Sequence, residues 1–237
     1  MWLVLCDDHD LAAQWAFLGL AERGLAPLEL VTSGALAHAR RWVHRVTTGG
    51  AHVEVTLHDG RTFDSRRVRG ALNRLVGVYN AGTFAAAAGD REYATQEFYA
   101  FLVSSLHCLP GSVLNPPGYL GLSGRCRHES EWAVLAASAG LPTTPYRMPA
   151  PPVPPLAGRP ARRSVVVLGD LVFGVPDAAG LRDGCRRLAA LAGTELLGVD
   201  LEVDDAGGWR FAAATPQPDL RLGGTPFLEA LAARLRQ

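Results

Sequence analysis

The apolar positions at the start of the chain predict a strand, a helix and a second strand, in that order. Trp2–Cys6 is a continuous apolar run of strand character, and Leu28–Thr32 is a second run of the same kind. Between them, Leu11, Trp15 and Leu18 recur at three-to-four spacing, which predicts a helix. Strand, helix and strand within about thirty residues make a βαβ unit, the beginning of a doubly wound parallel sheet.

The next hundred or so residues continue to alternate between strand and helix patterns. His52–Leu57 and Arg61–Asp64 flank an Asp-Gly turn, which predicts a β-hairpin. Further strands are predicted at Val68–Leu75 and Ser112–Asn115, and helices at Arg91–His107 and Glu129–Ala139. No Gly-x-Gly-x-x-Gly follows the first strand, so the dinucleotide fingerprint is absent.

A proline-rich segment divides the chain. Residues 149–163, PAPPVPPLAGRPARR, have the composition of a semi-rigid polyproline linker. The elements predicted after it are two strands within Ser164–Gly174, a helix over Ala178–Ala192, a strand carrying Asp200, a strand over Trp209–Ala213 and a helix over Phe227–Leu235. We therefore predict an α/β domain over 1–148, a linker over 149–163 and an α+β lobe over 164–237.

Composition narrows the range of partners and compartments. With 48% apolar and 19% charged residues, the composition is typical of a globular protein. The formal net charge is zero, so no overall electrostatic field attracts the chain to nucleic acid or to an anionic membrane. The N-terminus lacks the pattern of a signal peptide, and no run reaches the roughly 18 apolar residues of a membrane span. The four cysteines are widely spaced, as in proteins with reduced thiols, so we expect a cytoplasmic protein.

Two stretches resemble the ATP-grasp ligases, which join a carboxylate to an amine through an acyl-phosphate. Over residues 68–148 the order of strand with Asn-Arg, helix, strand with Asn-Pro, helix and Gly-Leu-Pro is similar to the N-terminal region of the branch that modifies peptides or adds glutamate. Residues 188–218, with the Gly198-Val199-Asp200 strand, are similar to the metal-binding end of the family. The resemblance implies a Rossmann-like pre-ATP-grasp domain followed by a truncated ATP-grasp C-terminal lobe.

The chain departs from the family's pattern where the chemistry resides. In the family, acidic and amide side chains on two strands hold magnesium, with a Glu-x-Asn on the second strand. Counting twelve and fourteen positions on from Asp200 gives Ala212 and Ala214, whose methyl groups cannot bind a hard cation. All 23 basic residues are Arg, so the lysines that hold nucleotide phosphates in the family are missing. The linker also stands where the family has its nucleotide lid.

Four residues are candidate ligand contacts. Asn73 and Arg74 end a predicted strand, the place where open α/β sheets bind ligands, although a strand-end cap and a surface arginine would look the same. Arg125 and Arg127 lie in the loop GLSGRCRHES, where their guanidinium groups predict an anion cradle or, equally, a solvated loop.

Other polar residues are weaker candidates. Asp200 is either a residual metal ligand or a relic, and Glu202 on the same strand face could pair with it. Cys126 and His128 could form a nucleophile and base, but two residues apart in a loop is poor evidence for contact. His9 among the acids of residues 7–10 suggests a metal cluster, although a helix N-cap fits that run better.

The first hypothesis is a non-catalytic ATP-grasp-like protein, a binding or scaffold subunit in a biosynthetic or peptide-modification pathway, with no cofactor. Its ligand would be a small carboxylate or a peptide, and its C-terminal lobe, bare where a lid would pack, would bind a partner protein or a second copy. The alternative is an ATP-dependent carboxylate–amine ligase, using ATP and magnesium, that a partner chain completes. A third reading is an unrelated enzyme built around Cys126, His128 or the acids of residues 7–10.

Overall fold

The computed structural model describes residues 1–77, 87–109, 112–118, 120–144, 146, 162–176, 178–203 and 207–237. These form two compact units, one of residues 1–125 with 228–237 and one of residues 126–227. This grouping differs from the predicted domains, because the helix near residue 130 belongs to the second unit and the last ten residues to the first. Most of the predicted linker, 149–161, lies outside the described residues, and its last two residues begin a strand.

The first unit is built on a four-stranded parallel sheet with the order β2-β1-β6-β7. Its strands are β1 (Trp2–Cys6), β2 (Leu28–Thr32), β6 (Gly70–Arg74) and β7 (Ser112–Leu114). The predicted βαβ unit is confirmed, since β1 pairs with β2 in parallel and helix α1 (Leu11–Glu22) connects them. A short helix, α2 (Ser33–Ala37), follows β2.

A second, antiparallel sheet of the first unit has the order β3-β4-β5. Its strands are β3 (Arg41–Thr47), β4 (Gly50–Thr56) and β5 (Thr62–Asp64), with a 3-10 turn at Ser65–Arg67. The predicted hairpin is confirmed as the β4–β5 pair. Helix α3 (Arg91–His107) is confirmed at its predicted bounds, and its Phe98 and Phe101 contact Trp42 edge-on.

The C-terminal residues complete the first unit. Helix α6 (Gly224–Leu235) contributes its part from Leu228 onward, and the indole N–H of Trp2 donates a hydrogen bond of 3.0 Å to the carbonyl of Leu235. Gly19 on α1 allows a close approach here, since a Cβ at that position would collide with the side chain of Leu228. A glycine in mid-helix costs stability, and this contact explains why one is present.

The second unit is a four-stranded antiparallel sheet with the order β11-β10-β8-β9. Its strands are β8 (Arg162–Leu168), β9 (Leu171–Phe173), β10 (Leu196–Val203) and β11 (Trp209–Thr215), and a 3-10 turn follows at Leu220–Gly223. Helices α4 (Glu129–Ser138) and α5 (Leu181–Ala192) share one hydrophobic core with this sheet. Both helices and all four strands lie at predicted positions, within a few residues.

Helix α5 offers a matched test of this core, because Leu188 is fully buried and Leu191 on the same helix is 51% exposed. We expect Leu188→Ala to lower the free energy of unfolding by about 2–5 kcal/mol, since it leaves a cavity among packed side chains. Leu191→Ala should change it by less than about 0.5 kcal/mol. Urea unfolding followed by circular dichroism measures both, and equal losses would contradict the described packing.

Candidate functional site

The carboxyl edge of the parallel sheet is formed where β1 and β6 end side by side. These strands pair in register from Trp2 opposite Gly70 to Cys6 opposite Arg74. The connection from β1 leads to β2 on its other side, so this edge is the point where the strand order reverses and where α/β sheets usually bind ligands. The predicted residues Asn73 and Arg74 therefore lie at the expected place.

Asn73 is fully buried and makes cross-links within the first unit. Its side-chain amide donates to the carbonyl of Asn115 at 3.0 Å and to the carbonyl of Leu122 at 2.7 Å. Both acceptors belong to the loops that follow β7. The amide N–H groups thus tie those loops to β6, which is a structural use of the residue.

Arg74 is also buried, with 4% of its surface exposed. Its Nε donates to Oδ2 of Asp10 at 2.7 Å, while Oδ1 of the same carboxylate accepts from the backbone N–H of Ala13 and caps helix α1. One carboxylate therefore holds both the end of β6 and the start of α1. This ion pair places the guanidinium in the interior of the unit.

The acidic run after β1 is used for capping. Asp10 is the N-cap of α1, as the sequence predicted for this run. Asp8 accepts from the hydroxyl of Ser33 and from the N–H of Gly34, and hydrogen bonds, that of Thr32 foremost, lower the pKa of its carboxyl. Among the described residues, no three His, Cys, Asp or Glu side chains are grouped so that they could hold a metal ion.

Asp7 differs from Asp8 because burial raises the pKa of its carboxyl, while its carboxylate still accepts a hydrogen bond from the backbone N–H of Val76. The backbone after β6 is thereby fastened to the backbone after β1. The run of acids thus fixes the loops at this edge of the sheet.

The two loop arginines belong to different units. Arg125 is the last residue of the first unit's main segment, and Arg127 lies in the second. Arg127 donates to the carbonyl of Ala192 at 2.7 Å, and its guanidinium lies 5.1 Å from the ring centroid of Trp132. A cation is favourable at the C-terminus of a helix, which explains its position at the end of α5.

Cys126 and His128 have separate surroundings. Cys126 is exposed, whereas His128 is the N-cap of α4 and its Nδ1 accepts from the backbone N–H of Ser130.

A different cysteine–histidine pair was not predicted from the sequence. Sγ of Cys108 lies 3.1 Å from Nε2 of His44, which belongs to a strand 64 positions earlier in the chain. Burial raises the pKa of the Cys108 thiol.

Asp200 lies on β10 with its side chain turned away from the core that Val199 and Leu201 fill. The hydroxyl of Ser164, directly opposite on β8, donates to Oδ1 of Asp200 at 2.6 Å. A serine from the neighbouring strand therefore uses one of the two carboxylate oxygens.

A β-bulge beside Asp200 determines what faces it from β11. The residue opposite Asp200 is Ala213, and Ala214 is opposite Val199 and packs against the core. Ala212 is the extra residue of the bulge. Residues opposite one another in an antiparallel pair share a face of the sheet. The alanine that faces Asp200 is therefore Ala213, one position away from Ala212 and Ala214, which counting along the sequence gave.

Glu202 is held by arginines from both neighbouring strands. Nε of Arg210 lies 2.8 Å from Oε1 of Glu202, and Nε of Arg162 lies 3.7 Å from Oε2. The side chain of Glu202 is only 12% exposed, so the two guanidinium groups neutralise it where water has little access. A serine, an alanine and two arginines thus surround the two carboxylates, and this set does not fit magnesium, which requires several oxygen ligands.

We expect Arg74→Ala to lower the free energy of unfolding by about 3–5 kcal/mol, because it leaves the Asp10 carboxylate partly buried without its cation. Arg40→Ala, at an exposed arginine, is the control and should change it by less than about 0.5 kcal/mol. Chemical denaturation of both variants tests this. A loss no larger than the control's would mean that Arg74 is available to a ligand instead.

The thiols provide a second test, because burial raises the pKa of Cys6 to about 12 and that of Cys185 to about 11. With Ellman's reagent at pH 8, we expect Cys126 to react first and Cys108 more slowly, with Cys6 and Cys185 reacting only after denaturation. Mass spectrometry of the labelled protein identifies the order. Labelling of Cys6 in the native protein at the rate of Cys126 would contradict the described burial.

Several solved structures share this fold across nearly the whole chain. The macrocyclase MdnB from Microcystis aeruginosa MRC is 14% identical, with 99% of this chain and 98% of that chain covered and a TM-score of 0.73. The ATP-grasp ligase PsnB, solved with a phosphomimetic variant of its minimal precursor, Mg and ADP, is 15% identical, with 99% and 97% covered and a TM-score of 0.69.

A RiPP-associated ATP-grasp ligase of Chryseobacterium gregarium, solved with ADP and a leader and core peptide, is 8% identical, with 99% and 95% covered and a TM-score of 0.68. No family model and no curated protein matches the sequence. None of the described helices combines the length and the apolar composition that a membrane-spanning segment requires. The chain therefore has the mixed α/β fold of ATP-grasp ligases, with a parallel sheet in one unit and antiparallel sheets beside it and in the other unit.

Proposed function

We propose that this chain is a non-catalytic ATP-grasp-like protein that serves as a binding or partner subunit in a peptide-modification pathway. The observation that carries the proposal is the face of β10 around Asp200. There, Ala213 lies opposite Asp200, and Arg162 and Arg210 form ion pairs with Glu202. Phosphoryl transfer depends mainly on neutralising charge with metal ions and cations placed at the phosphates. This face supplies neither a set of oxygen ligands nor a lysine.

The ligand proposed for the chain is a peptide. Solved structures of the same fold contain precursor peptides, as in PsnB with PsnA2 and MdnC with MdnA. A chain that retains this fold without the metal ligands could hold such a peptide for another enzyme, because function follows the site and not the fold. Partner binding through the second unit, or through a second copy of it, remains part of this proposal.

The positions that correspond to the family's Glu-x-Asn are, on this proposal, Ala213 and Thr215. Ala213 lies opposite Asp200, and Thr215 lies opposite Gly198, two residues earlier on the same face. The hydroxyl of Thr215 accepts from the N–H of Gln217 at 3.1 Å, so it serves the turn after β11. This assignment uses the register of the sheet, whereas the count along the sequence gave Ala212 and Ala214.

Restoring the missing oxygen ligands tests the assignment. The double variant Ala213→Glu with Thr215→Asn places two oxygen side chains on the face of Asp200, and we expect it to bind Mn²⁺ with a Kd on the order of a millimolar or tighter. The unaltered chain should show no binding in the same range. Electron paramagnetic resonance of free Mn²⁺ during a titration measures this directly.

The matched control is Ala212→Glu with Ala214→Asn. It adds the same two groups one position away, and we expect no Mn²⁺ binding and a loss of about 1–3 kcal/mol in stability, since Ala214 packs against the core. Mn²⁺ binding by the unaltered chain would overturn the proposed lack of a metal site. Such binding would favour the alternative, an ATP-dependent ligase that a partner chain completes.

A further inference from the structure

The second unit contains a small cavity at the end of its sheet where β8 begins and β10 ends. Its volume is about 200 Å³, and every residue that lines it lies within residues 126–227. The walls combine the start of α4, the segment that follows α4 and the strands β8, β10 and β11. Pockets for drug-sized molecules measure roughly 300–1,000 Å³, so this cavity suits a smaller ligand.

One wall of the cavity is held by backbone pairing along β11. The N–H of Phe211 donates to the carbonyl of Pro142 at 2.7 Å, and Thr143 forms a parallel bridge with Phe211. The segment after α4 therefore lies along β11, and Thr143 and Thr144 both line the cavity. Phe211 is buried and shares the hydrophobic core of the unit, so this side of the cavity is fixed by packing.

Two opposite charges at this cavity are available to a ligand. Nε of Arg162 lies 3.7 Å from Glu202, which Arg210 already neutralises at 2.8 Å. The two terminal nitrogens of Arg162 reach no acceptor among the described residues, and its side chain is 44% exposed. Glu129 lies in the first turn of α4, where the helix dipole stabilises a negative charge. In the described part of the chain, no cation pairs with it.

An α-amino acid carries the groups that complement this cavity. A carboxylate accepts two parallel hydrogen bonds from a guanidinium such as that of Arg162, and the hydroxyl groups of Thr143 and Thr144 belong to the same lining. An ammonium group pairs with a carboxylate such as that of Glu129. Phe211 adds an apolar surface, which favours a ligand with an apolar side chain.

We propose that this cavity binds a free α-amino acid with an apolar side chain. The backbone of a residue inside a peptide carries neither charge, and a residue at a peptide end keeps only one, so the free amino acid alone satisfies both Arg162 and Glu129. The inference goes beyond the proposed function and does not rest on it, because binding here involves no metal ion and no nucleotide. Titrations with Mn²⁺ or MgATP test that function, whereas titration with amino acids tests this cavity.

Isothermal titration of the full chain at neutral pH with L-valine, L-leucine, L-methionine and L-phenylalanine tests the proposal. We expect at least one of them to bind with a Kd on the order of 0.1–1 mM, as suits so small a ligand. Analogues that keep the side chain and only one charge, such as isopentylamine and isocaproate for leucine, should bind at least about tenfold more weakly. The N-acetylated amino acid, which imitates a peptide C-terminus, should be weakened equally.

Two variants locate the bound amino acid. In Arg162→Gln it should bind no better than its amine analogue, and in Glu129→Gln no better than its acid analogue, because each variant removes the partner of one charge. The matched controls are Arg163→Gln on the same strand and Glu131→Gln on the same helix. Neither residue lines the cavity, so both should leave the Kd within about twofold. Thermal melts show that each variant is folded.

Three results would each overturn the proposed site. The first is that none of the four amino acids binds at concentrations up to about 10 mM. The second is that the analogues with a single charge, or the N-acetylated form, bind as tightly as the amino acid. The third is that the control variants lose as much affinity as Arg162→Gln and Glu129→Gln.

Discussion

The buried ion pair between Asp10 and Arg74 fixes the carboxyl edge of the parallel sheet. It joins the start of helix α1 to the end of strand β6, and the two residues of the pair are 64 positions apart in the chain. Breaking such a pair is costly because one charge is left in a poorly solvated place, so the two elements are held in one geometry. On this helix the small residues and Leu20 are buried, whereas Leu11 and Leu18 are exposed.

In the second unit, the acidic side chains of β10 are also paired with groups of the same chain. Glu202 lies between Arg162 and Arg210, and Asp200 accepts from Ser164. In both units, therefore, carboxylates are engaged with groups of the same chain. These contacts engage one oxygen of Asp200 and both oxygens of Glu202.

Periodicity and turn residues were sufficient to predict most elements, because Leu and Val positions directly reflect which face is buried. The strand β3 was missed, since its exposed polar residues carry little apolar alternation. Bulges and long-range pairs could not be predicted from the sequence, because they depend on how distant segments pair in the folded chain. The bulge beside Asp200 changes which alanine faces it, and the contact of Cys108 with His44 joins residues 64 positions apart. Asn73 and Arg74 lie at the end of a strand as predicted, but their internal hydrogen bonds depend on tertiary packing.

The most direct measurement is isothermal titration of the purified chain with ATP, with and without magnesium. An ATP-grasp site needs the cation to neutralise the phosphates, so a chain in which an alanine faces Asp200 and arginines pair with Glu202 should release no heat that depends on magnesium. Thermal stability should likewise be unchanged by MgATP. Binding that requires magnesium and is lost in Asp200→Ala would contradict the account, because it would show that the face of β10 still holds a metal–nucleotide complex.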